Sequence, residues 1–217
     1  MIARIGGALI LFALASPLCA QDDFEIQVYG SDTVAKGATM VELHSNFTSH
    51  RAHETLEVTR GVTTWFETGF YIFTSGREEN GWQYAGSHLR PRVRVPEDWH
   101  WPVGVSLSTE IGYVKRPFSN DPWSWEIRPI IDKQMGKLYL SFNPAFERSQ
   151  FSPALNIKYD VTPIVAAGIE YYAQGANHQY YPSIDLNVSP DWEFNAGVGF
   201  SRGPTLVKFI VGRRFHR

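Results

Sequence analysis

The chain has 217 residues, with 20 basic and 22 acidic side chains, a formal charge of −2 at pH 7 and a single cysteine. This near balance of charge excludes the strongly basic surface that nucleic-acid binding requires. One cysteine excludes a fold that depends on several disulfide bonds.

Residues 1–20 form a predicted secretory signal peptide. They carry one cation, Arg4, then an apolar run and a small-residue exit that ends at Ala20, so we expect cleavage before Gln21. The apolar run is shorter than the ~20 residues of a spanning helix. Because Cys19 precedes the cleavage point, the mature chain is predicted to have no cysteine.

Residues 21–37 are predicted to form an N-terminal periplasmic segment. Residues 24–29 alternate between apolar and polar side chains, and a linker follows from Gly30 to Gly37. This pattern allows three arrangements. The segment caps the periplasmic mouth of the following domain, enters its lumen as a small plug, or forms a disordered leader.

From residue 38 onward the dominant pattern is period-two alternation, which is typical of β-strands. Val105 and Ile111 share one face of a strand, and Ser106 and Glu110 share the other. No later apolar stretch approaches the ~18 residues of a helical span, so only a closed barrel could enter a membrane. The alternation predicts twelve strands, near 39–48, 54–60, 65–74, 86–95, 102–114, 123–132, 137–146, 152–160, 164–174, 180–188, 192–201 and 204–214.

Three tight turns repeat one pattern, in which Val with Thr or Ser precedes an amphipathic strand that runs to a glycine. The copies span Arg60–Gly69, Tyr159–Gly168 and Asn187–Gly197. Longer polar loops are predicted at 75–85 and 115–122. Short turns at one end and longer loops at the other are typical of bacterial outer-membrane barrels, and an even strand number places both ends of the mature chain in the periplasm.

The tryptophans are predicted to form two girdles at the membrane interfaces, where amphipathic rings are favoured. One group lies beside the predicted periplasmic turns, and the other begins a strand at the opposite rim. The alternative is that these rings belong to the core of a soluble β-sandwich. The two groups are Trp65, Trp99, Trp101 and Trp192, and Trp123 and Trp125.

The last strand resembles the C-terminal assembly signal of Gram-negative outer-membrane proteins, an alternating strand that ends on an aromatic residue. Val207, Phe209 and Val211 alternate before Phe215, although His216 and Arg217 follow the aromatic. This resemblance implies that the outer-membrane assembly machinery recognises the C-terminal strand.

Residues 38–217 as a whole resemble Gram-negative outer-membrane β-barrels. In size and strand count the chain is similar to the twelve-stranded oligosaccharide-type porins, and its Val-Thr turns are similar to those of barrels of the phenol-degradation MetA pathway. The resemblance implies an all-β fold, a single closed antiparallel transmembrane β-barrel in the cell outer membrane, with lipid around its exterior.

Successive residues of a strand point to opposite faces. If the apolar set faces lipid, the alternate set carries charge into the lumen. His88, Arg90, Arg92 and Arg94 then stand on one inner face with successive side chains roughly 6–7 Å apart. They form either a cationic ladder for anionic solutes or a set of ion pairs with acids on the adjacent strands. The candidate lumen and selectivity residues are His88, Arg90, Arg92, Arg94, Glu67, Glu110, Glu126 and Arg128.

No catalytic, metal or cofactor site is predicted. The chain lacks the His-x-Ser pattern of outer-membrane phospholipases. Membrane proteases of the omptin kind use acidic pairs at the outer rim, whereas the only Asp-Asp pair here, Asp22-Asp23, lies at the mature N-terminus. His50, His53 and Glu54 come close together in sequence but are interpreted as solvated loop residues, because no fourth ligand accompanies them.

The predicted function is a narrow outer-membrane channel or facilitator for small hydrophilic solutes, possibly anionic ones. The alternative is a closed structural or interaction barrel with an ion-paired lumen. Two further hypotheses are a soluble periplasmic barrel that binds an apolar ligand and an outer-membrane hydrolase.

Overall fold

A computed structural model describes residues 24–77, 81–147, 150–175, 177–201 and 205–216. The predicted signal peptide lies outside these residues. One 3₁₀-helical turn covers Glu97–Trp99, and no described helix is long and apolar enough to cross a membrane. The strands are β1 Thr39–Phe47, β2 Arg51–Gly61, β3 Phe66–Arg77, β4 Gly81–Arg94, β5 Gly104–Val114, β6 Trp123–Met135, β7 Leu138–Glu147, β8 Gln150–Thr162, β9 Val165–Gln174, β10 Asn177–Ser189, β11 Trp192–Gly199 and β12 Leu206–Phe215.

The twelve strands close into one antiparallel barrel, which confirms the predicted fold class. Each strand pairs with the next along the chain, and β1 pairs with β12 from Thr39 opposite Phe215 to Phe47 opposite Val207. Closure leaves no edge strand, so the backbone groups of the wall are paired within the sheet.

The exterior of the barrel is apolar and the interior is polar. Phe70, Leu89 and Ile111 lie side by side on β3, β4 and β5 and are 47%, 48% and 56% exposed. The residues next to them along the strands, including Arg90 and Glu110, are buried inside. The prediction that apolar residues face outward and charged residues face the lumen is therefore confirmed. Neither the core of a β-sandwich nor a soluble barrel with an apolar lining fits this arrangement.

Leu89→Arg should destabilise the folded barrel in lipid vesicles by about 2–4 kcal/mol, the cost of a cation on the lipid face near the bilayer centre. Val62→Arg provides the control, because Val62 is exposed in the turn after β2, where the same charge reaches the interface. Urea unfolding in vesicles measures both. Equal midpoints for the two variants would contradict a lipid-facing Leu89.

The strand count is predicted correctly, but the loop at 75–85 is not. β3 extends to Arg77 and β4 begins at Gly81, with Ser75 opposite Gln83. A register shift after Phe73 leaves an extra residue on β4, a β-bulge that lets this polar hairpin continue. The predicted loop at 115–122 remains outside the strands.

The N-terminal segment, residues 24–37, lies inside the barrel. Phe24 contacts Asn46 and Phe118, at the end of the barrel that carries the 115–122 loop, which we call the loop end. At the opposite end, the turn end, Gly37 donates its N–H to the carbonyl of Gly61. The segment therefore runs the length of the lumen, antiparallel to β1, and matches the plug among the three arrangements that the sequence allows.

This path separates the two ends of the described chain. His216 contacts Asp191 in a tight turn at the turn end, whereas Phe24 lies at the loop end. The sequence predicted both ends of the mature chain on one side of the membrane. That expectation follows from an even number of strands, but it does not account for a segment that passes back through the lumen before β1.

Candidate functional site

The backbone of the N-terminal segment is held by side chains of the barrel wall. Near the loop end, the carbonyl of Phe24 accepts hydrogen bonds from Thr55 Oγ1 at 2.6 Å and from Asn46 Nδ2 at 3.2 Å. Further down, Lys208 Nζ donates to the carbonyl of Ile26 at 3.1 Å. The wall therefore supplies partners for peptide groups that would otherwise be buried without one.

Tyr29 is held most extensively. Its N–H donates to Asn143 Oδ1 at 2.7 Å, and its carbonyl accepts from Ser141 Oγ at 2.6 Å. Three guanidinium groups surround its ring at 4.8–5.3 Å from the centroid, a separation at which cations are attracted to the π-face. They belong to Arg90, Arg92 and Arg128.

The part of the segment nearest the turn end is anchored by carboxylate side chains of the wall. Ser31 donates its N–H and its hydroxyl to the two carboxylate oxygens of Asp132, at 2.8 and 2.7 Å. The N–H of Val34 donates to Glu67 at 2.5 Å. Gly61 has to be a glycine here, because a Cβ would lie 2.2 Å from the carbonyl oxygens of Val34 and Ala35.

Apolar side chains of the segment pack against two parts of the wall. Phe24 belongs to a buried cluster with residues of β3, β4 and β5, among them Phe73. Ile26 and Val28 pack with residues of β8, β9, β10 and β12, including Tyr172. The segment thus fills the lumen with apolar contacts on both sides.

The predicted cationic ladder is present on β4, but its charges are paired. Arg90 and Arg92 each contact Glu67 at 3.2 Å. Arg94 lies closer to the turn end and contacts Asp32 and Glu97 instead. The inner face of β4 therefore does not present a row of free cations in this conformation.

Arg90 also forms an ion pair with Glu57, on a strand that is not its neighbour. The guanidinium reaches across β3 at Gly69, where a Cβ would lie 2.7 Å from Thr59 Oγ1 and 3.2 Å from Glu57 Oε1. Both partners are almost completely buried, at 2% and 0% side-chain exposure. The sequence did not indicate this pair, because the period-two pattern gives no contact between strands that are not adjacent.

The remaining candidates also face the lumen. His88 contacts Glu110 at 3.4 Å through Nδ1 and the Ser124 hydroxyl at 2.9 Å through Nε2. Arg128 contacts Glu126 at 2.6 Å on its own strand. All eight candidate residues thus line the interior. Five of them contact the N-terminal segment directly: Arg90, Arg92 and Arg128 at Tyr29, Glu67 at Val34, and Arg94 at Asp32.

The sequence missed a second buried pair on the far wall. Lys208 Nζ lies 2.6 Å from Glu170 Oε2, and both side chains are almost fully buried. The loop histidines are also placed differently from the expectation, because His53 is buried on β2, with its ring edge against Phe24. Of these two histidines, His50 is the one that is exposed in the loop.

Two cavities lie outside the middle of the lumen among the described residues. One, of about 280 Å³, lies at the turn end beside Arg94 and Trp101. The other, of about 400 Å³, lies on the exterior beside Trp82 and Tyr84.

Solved structures of similar fold include porins and channels of outer membranes. The KdgM porin, solved in complex with disordered oligogalacturonate, matches with a TM-score of 0.63 at 11% identity over 82% of this chain and 99% of its own. An outer membrane channel from Pseudomonas putida F1 matches with a TM-score of 0.60 at 10% identity over 88% and 100%. The NanC porin matches with a TM-score of 0.55 at 8% identity over 82% of this chain and 99% of its own.

No family model and no curated protein matches the chain. Identities near 10% show a shared fold, and the apolar exterior of this barrel provides an independent argument for lipid around it. The chain is an outer-membrane β-barrel of the twelve-stranded, porin-like architecture.

Proposed function

We propose that the protein is an outer-membrane channel for small hydrophilic solutes, closed in this conformation by its own N-terminal segment. The observation that carries the proposal is the path of residues 24–37, which occupy the lumen but belong to no strand. The segment is joined to the wall covalently only through β1, so it can leave without breaking any strand pairing. The porins of similar fold support a channel role.

The lumen left by the departing segment would be polar. Arg92 donates to the carbonyls of Gly30 and Asp32 at 3.2 and 3.1 Å, and these bonds are lost when the segment leaves. Arg90 and Arg128 lose the ring of Tyr29 at the same time. Guanidinium donors freed in this way bind carboxylates and phosphates well, so we propose that small anionic solutes are favoured, with Glu67, Glu110 and Glu126 positioning the arginines.

A reversible tether tests the proposal in the full chain. A Cβ built on Gly104 lies 3.2 Å from the Cβ of Ser31, close to the range of about 3.5–4.5 Å that a disulfide spans. The double variant Ser31→Cys and Gly104→Cys therefore should cross-link the segment to β5, once the nearby Asp132 carboxylate rotates away. The predicted mature chain has no other cysteine, so no competing disulfide forms.

We expect discrete openings in planar bilayers under reducing conditions and their loss after oxidation. Ser31→Cys alone is the control, and its openings should not respond to oxidant. Equal conductance of the oxidised and reduced double variant would show that solutes do not follow the path of the segment.

The second candidate function is a permanently closed structural or interaction barrel. The packed clusters on both sides of the segment and the buried ion pairs favour it. This alternative predicts that correctly folded protein is silent in bilayers under both redox conditions.

A further inference from the structure

Three ligating side chains meet on the inner face of β1 and β2, beside Arg90, which contacts one of them. They are Glu42, His44 and Glu57, and each offers one ligand atom within 4.8 Å of the others. Glu42 and Glu57 stand directly opposite each other in the β1–β2 pairing, and His44 is two residues further along the same face. All three are buried.

The hydrogen-bonding capacity of this cluster is not used up. His44 is 1% exposed, and neither of its ring nitrogens has a hydrogen-bond partner among the described residues. Glu57 accepts from Arg90 and Thr59 through Oε1, whereas Oε2 has no hydrogen-bond partner and lies 3.8 Å from His44 Nε2. Buried polar atoms nearly always have a partner, so three unpartnered atoms at one place indicate a missing ligand.

The cluster brings two carboxylates together, and a third lies at the same height. Carboxylates directly opposite each other on neighbouring strands repel, and Gly212 of β12 is paired with Glu42 on one side and with Glu193 of β11 on the other. The nearby cation, Arg90, is shared between Glu57 and Glu67. A bound cation would relieve the repulsion between Glu42 and Glu57.

We propose that Glu42, His44 and Glu57 bind a divalent transition-metal ion such as Zn²⁺. One imidazole and two carboxylates form a ligand set that this class of metal accepts, with metal–ligand distances of about 2.0–2.2 Å and a water molecule in the fourth tetrahedral position. His44 Nε2 and Glu57 Oε2 have to approach each other by only a few tenths of an ångström to share a tetrahedral ion. Such an ion would link β1, the strand that continues from the N-terminal segment, to β2.

The test is metal binding by the full mature chain without a histidine tag, refolded into detergent with Zn²⁺ or with Mg²⁺. Elemental analysis after dialysis should find one Zn²⁺ per folded chain and no Mg²⁺, since Mg²⁺ prefers oxygen ligands and keeps its waters. Folding is checked by the shift in gel mobility between heated and unheated samples. Zn²⁺ should also raise the temperature at which this shift is lost.

Variants separate the site from nonspecific binding. Glu42→Gln and His44→Ala should each weaken Zn²⁺ binding by at least about tenfold, the loss that removal of even an outer-shell partner causes. His53→Ala is the matched control, a buried inward-facing histidine of β2 outside the cluster, and it should retain the metal. Folded wild-type protein without bound zinc, or Glu42→Gln protein with the wild-type content, would overturn the proposal. Neither result depends on whether the barrel conducts.

Discussion

Deleting residues 24–33 should turn a mostly silent barrel into one with long-lived openings of uniform conductance. The deletion removes Tyr29 and the buried apolar side chains of the segment, Phe24, Ile26 and Val28, while Val34 to Gly37 remain to enter β1. Since the occluding chain is absent, no equilibrium between closed and open states is left to favour closure. Single-channel recording in planar bilayers measures the change, and the heat-dependent gel shift confirms that the barrel is folded.

A full-length variant tests the same prediction of increased channel opening without changing the chain length. Tyr29→Ala removes three cation–π contacts, each worth about 0.5–2 kcal/mol. A loss of ~2 kcal/mol from the closed state raises the open population by about thirtyfold. Tyr180→Ala is the control, because this tyrosine is 51% exposed on the exterior. Silence of both the deletion and Tyr29→Ala in folded protein would favour the closed barrel.

The fold was predictable from sequence because a barrel wall separates lipid from lumen at every second residue. Residues such as Leu89 and Arg90 therefore have opposite chemistry at adjacent positions, and the pattern persists around all twelve strands. The hairpin at 75–85 escaped the prediction because most of its residues are polar or glycine, so the period-two alternation is interrupted there. Its strands extend by backbone pairing, as between Ser75 and Gln83, which composition does not reveal.

The candidate site was predictable only in part. The contact of Glu67 with Arg92 follows from strand adjacency, because the two residues are directly opposite each other on β3 and β4. The contact of Arg90 with Glu57 skips one strand and depends on the space above Gly69. The position of the N-terminal segment depends on the shape of the completed lumen, and its alternation over residues 24–29 is compatible with a plug and with a periplasmic cap alike.

Arg90→Ala should be among the most damaging single substitutions in the lumen. Arg90 is the shared partner of Glu57 and Glu67, and removing it leaves two buried carboxylates without their common cation. Breaking a buried ion pair from one side costs about 3–5 kcal/mol, because the remaining charge stays buried. We expect a loss of this size in the free energy of unfolding, measured by urea titration in lipid vesicles.

Arg94→Ala is the matched control for this prediction, since it removes the same kind of side chain four residues along the same inner face. The carboxylates that contact Arg94 belong to Asp32 and Glu97, which are 85% and 80% exposed, so the loss should stay below about 1 kcal/mol. Adding Glu57→Gln to Arg90→Ala should recover part of the lost stability, because it removes the buried charge that has lost its cation, whereas Glu67 keeps its contact with Arg92. If Arg90→Ala costs no more than Arg94→Ala, then water reaches Glu57 and Glu67 in the folded protein, and the lumen is more open than the contacts of Arg90 indicate.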